Sequence, residues 1–173
     1  MFHYQCMRYE NLNEKRKMQI SRMAARLRSK YTTEKGIDFY SMANDFGATL
    51  LETDKVAGGV TYFSGNEKTY IFLNKSWYSH VVRTYHAAHE FAHVVFKHNH
   101  AEKSEDIKEE EAEYFVEKFT GLRESLFLRM FEWANILISS LFHPKEFLEE
   151  AEVPTKKKLE KLLKEIELEI NRH

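Results

Sequence analysis

The sequence lacks two features of secreted proteins, paired cysteines and a signal-like N-terminal segment. Among 173 residues there is one cysteine, Cys6, so no internal disulfide can form, as is typical of a reducing compartment. The first 17 residues contain no apolar stretch followed by a small-residue cleavage site, which a secretory signal would need. We therefore expect a cytoplasmic protein.

Long uncharged hydrophobic runs are also missing. The most apolar segment, residues 126–142, includes Arg129 and Glu132, and its longest uncharged run covers only residues 133–142. A helix that crosses a bilayer needs about 20 predominantly apolar residues. We therefore expect no membrane-spanning segment.

Neither sign of charge is in excess. The chain has 26 lysines and arginines against 27 aspartates and glutamates, which gives a formal net charge of -1. A chain without a net positive field has no general attraction for phosphate backbones or anionic lipid. Direct binding of nucleic acid or membrane surfaces is therefore not an expected function.

Linker-like segments are not visible either. The sequence has only six glycines and two prolines, and it contains no internal repeat or low-complexity stretch. With 43% hydrophobic residues, a chain of this length can bury one compact core and is marginal for two. We predict a core of residues 1–121 and a helical extension, residues 122–173, packed on it as one compact unit.

The first half of the chain is predicted to contain two helices and then three strands. Residues 14 to about 30 have apolar positions at helical spacing. Asp38 is suited to cap a second helix, which Gly47 ends. The predicted strands are residues 48–52, 60–63 and 69–73, the last two forming a hairpin with a turn at 64–66.

The second half is predicted to be helical. A central helix covers residues 79–97, another covers about 105–120, and the remainder to 172 is helical with breaks before Pro144 and Pro154. The last helix is suited to packing on the body, with pairing to a second copy as the alternative, through Leu159, Leu163, Ile166 and Ile170. The predicted fold is α+β, with a small, mostly antiparallel three-stranded sheet on a helical bundle.

The central helix contains His89-Glu90-Phe91-Ala92-His93, which matches the pattern H-E-x-x-H. Residues four apart lie one turn apart on one helix face, so two imidazoles can converge on a zinc ion at ~2.0–2.1 Å. Glu90 projects beside this face, where it can take a proton from a zinc-bound water as the water attacks a polarised carbonyl. The pattern indicates a metallopeptidase.

Burial favours a ligand role for both histidines. By helical periodicity, His89 and His93 share a face with apolar residues that include Val82, Tyr85 and Phe96. A buried imidazole without a partner costs free energy, so this face requires a metal ion or specific hydrogen bonds.

Other histidines compete for the metal. His86 lies on the same face one turn earlier, and we favour a surface role or a contact behind the ligands over a direct ligand role. His98 and His100 lie in the loop after the helix, where we expect them to be solvated. The longer pattern H-E-x-x-H-x-x-G-x-x-H is excluded, because Phe96 and Asn99 stand where it needs glycine and histidine.

A catalytic zinc site needs a third protein ligand, and the next helix opens with candidates. Glu109 and Glu111 flank its apolar stripe on opposite sides, so both remain candidates from the pattern. Glu110 points away from the stripe. We expect Glu110 and Glu113 to be solvated.

From about residue 15 to 120, the order of elements and motifs resembles the ImmA/IrrE family of metallopeptidases, intracellular proteins often found on phages and mobile elements. The likeness includes paired N-terminal helices and four segments, namely Gly58-Gly59-Val60-Thr61-Tyr62, Tyr70-Ile71-Phe72-Leu73-Asn74, Thr84-Tyr85-His86-Ala87-Ala88 before the H-E-x-x-H pattern, and Glu109-Glu110-Glu111-Ala112-Glu113-Tyr114-Phe115-Val116. The chain departs from the family at Ala92, where glycine is common, and in its tail beyond residue 122.

The resemblance implies that His89, His93 and Glu111 bind zinc and that Glu90 is the catalytic base. It also implies a specific protein substrate, a DNA-binding helix-turn-helix repressor whose cleavage releases silenced genes. The alternative is a non-catalytic, zinc-containing binding module of a phage or toxin–antitoxin system. A structural zinc of that kind would need a fourth protein ligand, such as His86.

Overall fold

The computed structural model describes residues 9–56, 58–64, 68–75, 79–122 and 155–170. Its elements, in chain order, are α1 (Glu14–Tyr31), β1 (Thr32–Thr33), β2 (Gly36–Ile37), α2 (Phe39–Asp45), β3 (Ala48–Thr53), β4 (Gly59–Phe63), β5 (Thr69–Asn74), α3 (His80–Val95), α4 (Glu105–Thr120) and α5 (Lys156–Ile170). The expected turn after β4 lies partly outside the described residues, and the expected helical stretch from 123 to 154 lies wholly outside them.

The helices before the main sheet begin at polar caps. Asn13 accepts a hydrogen bond from the backbone N–H of Arg16 at the start of α1, and Asp38 accepts one from Ser41 at the start of α2. Gly47, with φ of 70°, follows α2 and turns the chain into β3. A short antiparallel ribbon of β1 and β2 connects α1 to α2.

The main sheet has three strands in the order β3–β5–β4. Strand β3 pairs with β5 in parallel, whereas β4 pairs with β5 in antiparallel orientation, and both registers meet at Ile71, opposite Leu50 and Thr61. The α+β class is confirmed. The sheet is mixed, with one parallel and one antiparallel pairing, and among the strands that the structure describes β4 lies at one edge.

Helix α3 is the central helix of the fold. It packs against α4 and against β4 and β5, and α1 packs on α4 as well. Because α3 has neighbours on several sides, its buried residues are distributed around it, and they include Val82, Ala87, Phe91 and Ala92. A fully buried side chain the size of Phe91 stabilises the fold by roughly 1.5–3 kcal/mol.

Alternate residues of β5 face opposite sides of the sheet. Ile71 and Leu73 join the main core between the sheet and helices α1 to α4. Phe72 faces the other side and belongs to a second cluster, which also contains Val56, Tyr62, Leu159 and Leu162. Helix α5 therefore packs on the outer face of the sheet.

Polar contacts hold α5 in the same position. Lys55 Nζ lies 2.6 Å from Glu165 Oε2, and the Tyr62 hydroxyl donates to Glu160 at 3.1 Å. No helix within the described ranges is both long enough and apolar enough to cross a bilayer.

Candidate metal centre

His89 and His93 lie one turn apart on α3, as their spacing predicts. Their Nε2 atoms are 3.2 Å apart, and each side chain is 14% exposed. The ring planes are inclined at 58° to each other. The two imidazoles therefore present their Nε2 atoms to a common point.

Glu109, in the first turns of α4, supplies the carboxylate at this point. Its Oε2 lies 3.1 Å from His89 Nε2, and its Oε1 lies 3.6 Å from His93 Nε2. One ligand atom from each of the three side chains lies within 4.8 Å of the others. His89, His93 and Glu109 form a group that could hold a metal ion.

The chemistry of this group fits zinc. Two imidazole nitrogens and one carboxylate oxygen are the donors of many catalytic zinc sites. Ligand atoms bound at ~2.0–2.1 Å in tetrahedral geometry are about 3.3–3.4 Å apart, which is close to the separations of 3.1 and 3.2 Å around His89 Nε2. In the part of the chain that the structure describes, the group has three members and no fourth protein ligand.

The carboxylates near His89 favour a positive charge at this point. Burial of the His89 ring opposes its protonation, but Glu109 and Glu113 outweigh burial and raise the pKa of His89 to about 10. Burial and the neighbouring His89 lower the pKa of His93 to about 4. The surroundings therefore stabilise a cation between the two helices, and a metal ion would take the place of the proton.

Glu90 is buried and lines the same cleft as the two histidines. Burial penalises its carboxylate and raises the pKa of Glu90, and the attraction of His89 opposes this only in part. Gly59 of β4 leaves room for the side chain, since a Cβ atom at Gly59 would lie 2.6 Å from Glu90 Cγ. Thr61 Oγ1 donates to the backbone oxygen of Glu90 at 2.9 Å and connects the edge strand to α3.

Glu111, the ligand that the family resemblance implies, lies away from this group. Its carboxylate accepts hydrogen bonds from Arg16 at 2.7 and 2.8 Å, from Lys103 at 2.6 Å and from His98 Nε2 at 3.1 Å. Burial acts to raise the pKa of Glu111, but these donors outweigh it and hold the pKa well below its usual range. The structure therefore brings Glu109, and not Glu111, to the histidines.

Helix packing explains why Glu109, and not Glu111, reaches the histidines. Helix α4 packs against both α3 and α1. Glu109 lies on the flank where α3 carries His89, whereas Glu111, about 200° further round the helix, meets Arg16 of α1. Periodicity puts both glutamates beside the buried stripe, but only the packing of the two helices decides which of them reaches the histidines.

Glu113, expected to be solvated, contacts the first histidine. Its Oε1 lies 2.9 Å from His89 Nδ1, and its Oε2 accepts a hydrogen bond from the Tyr85 hydroxyl. His89 Nδ1 is buried and has no well-aligned hydrogen bond among the described residues. A carboxylate behind a ligand histidine orients the ring. The spacing of Glu109 and Glu113, equal to that of the histidines, is the sequence signal that points to this contact.

His98, also expected to be solvated, is buried, with 2% of its side chain exposed. Its Nδ1 lies 2.8 Å from His93 Nδ1, and its Nε2 lies 3.1 Å from Glu111 Oε2. Lys97, with a positive φ of 51°, turns the chain after α3 and brings His98 back against the helix end. Because His98 follows the last helical turn, the periodicity of α3 does not reveal its burial.

In the described chain, His86, His100 and Glu110 lie outside the ligand group, which consists of His89, His93 and Glu109. The ring of His86 contacts the ring of Tyr85 edge to face, and His100 is exposed. Glu110 accepts hydrogen bonds from the backbone and side chain of Asn11.

The ligand group opens onto a cleft of about 560 Å³. One wall is the edge strand β4, and the opposite wall is the start of α4 with the loop after α3. Within the described residues, the outer edge of β4 is not paired with another strand. The backbone groups on this edge are therefore suited to pair with an extended peptide.

Comparisons with known proteins identify no matching family model, no matching curated protein and no matching solved structure.

Proposed function

We propose that the protein is a zinc-dependent endopeptidase. The observation that carries this proposal is the convergence of His89, His93 and Glu109 within 4.8 Å, at a cleft that also contains the buried carboxylate of Glu90. A metal-binding group beside a buried carboxylate and an open strand edge is suited to metal-assisted hydrolysis of a peptide.

The three ligand side chains would hold the ion, and Glu90 would move the protons. Bound zinc supplies Lewis acidity, which polarises a carbonyl oxygen and lowers the pKa of water to roughly 7. Glu90 accepts a proton from the water as the water oxygen bonds to the peptide carbonyl carbon. It then passes that proton to the departing amine nitrogen as the C–N bond breaks.

The edge of β4 supports a protein substrate bound as an extended strand. Main-chain hydrogen bonds to an edge strand align a peptide regardless of its sequence, and side-chain contacts in the cleft give selectivity. Gly59 and Thr61 connect this edge to Glu90. A peptide paired with β4 would therefore run past the catalytic carboxylate.

The resemblance to the ImmA/IrrE metallopeptidases supports the same proposal and extends it to a substrate class. We propose that the substrate is an intracellular DNA-binding repressor of the helix-turn-helix type. In this proposal Glu109 takes the ligand role that the resemblance gives to Glu111, a neighbour in the same acidic segment.

The test combines zinc binding with a proteome-wide search for newly formed N-termini. The zinc-loaded protein should generate new termini from a small set of proteins, and Glu90→Gln should lower the cleavage rate by about 10²–10⁴-fold while it retains zinc. Glu102→Gln, a change of an exposed glutamate in the loop before α4, is the matched control. Undiminished cleavage by Glu90→Gln would remove the assigned base. Stoichiometric zinc without any cleavage would favour the non-catalytic binding module.

A further inference from the structure

We propose that His98 is a positioning residue for the metal centre, which fixes the tautomer of His93 through a relay from Glu111. In this relay the His93 ring keeps its proton on Nδ1 and presents the lone pair of Nε2 to the metal. The inference rests on the proposed function, because it takes His93 as a metal ligand.

The relay begins at Glu111, whose carboxylate can only accept hydrogen bonds. Arg16 and Lys103 donate three hydrogen bonds to its two oxygens, so the buried group is held as an anion. His98 Nε2 lies 3.1 Å from Glu111 Oε2. Since an ionised carboxylate has no proton to give, His98 Nε2 must carry the hydrogen of this contact.

A neutral imidazole carries a single ring proton. With its proton on Nε2, His98 has a lone pair on Nδ1 and accepts a hydrogen bond there. The donor is His93 Nδ1, 2.8 Å away. His93 then has its own lone pair on Nε2, the atom that lies 3.2 Å from His89 Nε2.

The opposite tautomers would prevent metal binding. A proton on His98 Nδ1 would make His93 Nδ1 the acceptor and move the His93 proton to Nε2, into the ligand group. It would also direct the lone pair of His98 Nε2 at the Glu111 carboxylate. The anion at Glu111 therefore selects the metal-binding form of His93. It acts through His98, which lies between the two side chains.

Burial and packing keep the relay in place. The side chains of His98 and Glu111 are each 2% exposed, so water cannot easily replace their hydrogen bond. The Arg16 guanidinium lies over the Phe96 ring, 4.8 Å from its centroid, and ties α1 to the end of α3. His89 differs, because its Nδ1 faces the carboxylate of Glu113 directly.

The experiment measures zinc affinity by competition with a chromogenic chelator. His98→Phe keeps an aromatic ring and removes both hydrogen bonds, so zinc should bind about 10–100-fold more weakly. His98→Gln keeps one donor and one acceptor and should recover part of this loss. His100→Phe, the same substitution at an exposed position two residues away, should leave the affinity unchanged.

A second measurement uses the unaltered protein and needs no variant to fold. Nitrogen-15 NMR of the histidine rings should find the proton of His93 on Nδ1 and that of His98 on Nε2. Circular dichroism of the metal-free variants separates a local loss of zinc affinity from unfolding.

The outcomes distinguish this inference from the proposed function. Equal zinc affinity of folded His98→Phe and the unaltered protein, or the reverse tautomers, would overturn the relay and leave the zinc peptidase proposal standing. If the unaltered protein does not bind zinc, the proposed function and the relay both fail. Weaker binding by His98→Phe, with recovery in His98→Gln and the expected tautomers, supports the relay.

Discussion

Two clusters of histidine and glutamate lie next to each other where α4 packs on α3 and on the turn after it, and they differ in how their charges are balanced. At Glu111, four hydrogen bonds from Arg16, Lys103 and His98 satisfy one carboxylate. At Glu109, the carboxylate meets only the ring nitrogens of His89 and His93 among the partners described. In the first cluster, side chains of the protein balance the charge of the carboxylate. In the second, the carboxylate and the imidazoles have lone pairs that could bind a cation.

The difference shows why a buried glutamate is weak evidence for a metal ligand. Glu111 is more deeply buried than Glu109, with side-chain exposures of 2% and 49%. Burial alone would favour Glu111 as the ligand. A buried carboxylate surrounded by cations contributes to the fold, and a metal ligand needs free lone pairs directed at a common point.

The largest expected effect is the loss of stability when the Glu111 carboxylate is removed. Glu111→Ala leaves Arg16, Lys103 and His98 without their shared anion, so the free energy of unfolding should fall by about 3 kcal/mol in urea titrations of the metal-free protein. Glu109→Ala should lower it by about 1 kcal/mol or less, because that side chain is half exposed. Equal losses would mean that the two clusters play the same structural role.

Zinc itself should separate the clusters next. At a free zinc concentration 100 times the dissociation constant, the free energy of unfolding should rise by about 2.7 kcal/mol, and a chelator should reverse the rise. In Glu109→Ala the same zinc concentration should give little stabilisation, since one of the three proposed ligands is missing. Thermal unfolding with and without zinc measures the stabilisation of the unaltered protein and of Glu109→Ala. A full zinc response in Glu109→Ala would exclude Glu109 as a ligand.

A change at Gly59 tests how tightly the cleft holds the proposed base. Gly59→Ala brings a methyl group against Glu90 Cγ, so the free energy of unfolding should fall by about 1–2 kcal/mol. The cleavage rate should fall as well, because the Glu90 carboxylate must move away from its position in the cleft. Gly58→Ala is the matched control, since its added methyl group meets nothing within 4 Å. Unfolding curves and cleavage rates of the two variants should diverge, and equal cleavage rates would contradict the tight contact.

The smallest effect is the pH dependence of the Glu111 cluster. The pKa of Glu111 is lowered in the folded protein, so its contribution to stability is complete above its unfolded pKa and is lost as the pH falls through the folded pKa. One such group changes the free energy of unfolding by at most ~1.4 kcal/mol per pH unit, starting below about pH 5. Glu111→Gln should flatten this acid slope in metal-free unfolding experiments, and an unchanged slope would assign it to other groups.

Much of the secondary structure could be predicted from local patterns in the sequence. The bounds of α1 and α4 agree with the predicted helices within a residue, because caps and apolar spacing act over a few neighbouring residues. The order β3–β5–β4 depends on contacts between distant segments. The parallel pairing of β3 with β5 is such a contact, and no turn signal between these two strands specifies it.

Within the site, the pair His89 and His93, with Glu90 beside it, could be predicted from the sequence, because four residues make about one helical turn in any α-helix. Three further contacts depend on how the helices pack: Glu109 meets the pair, Glu111 meets Arg16, and His98 is buried behind His93. Helical periodicity orders side chains around one axis and cannot say which neighbour occupies each side. The packing of α4 against both α1 and α3 supplies that information.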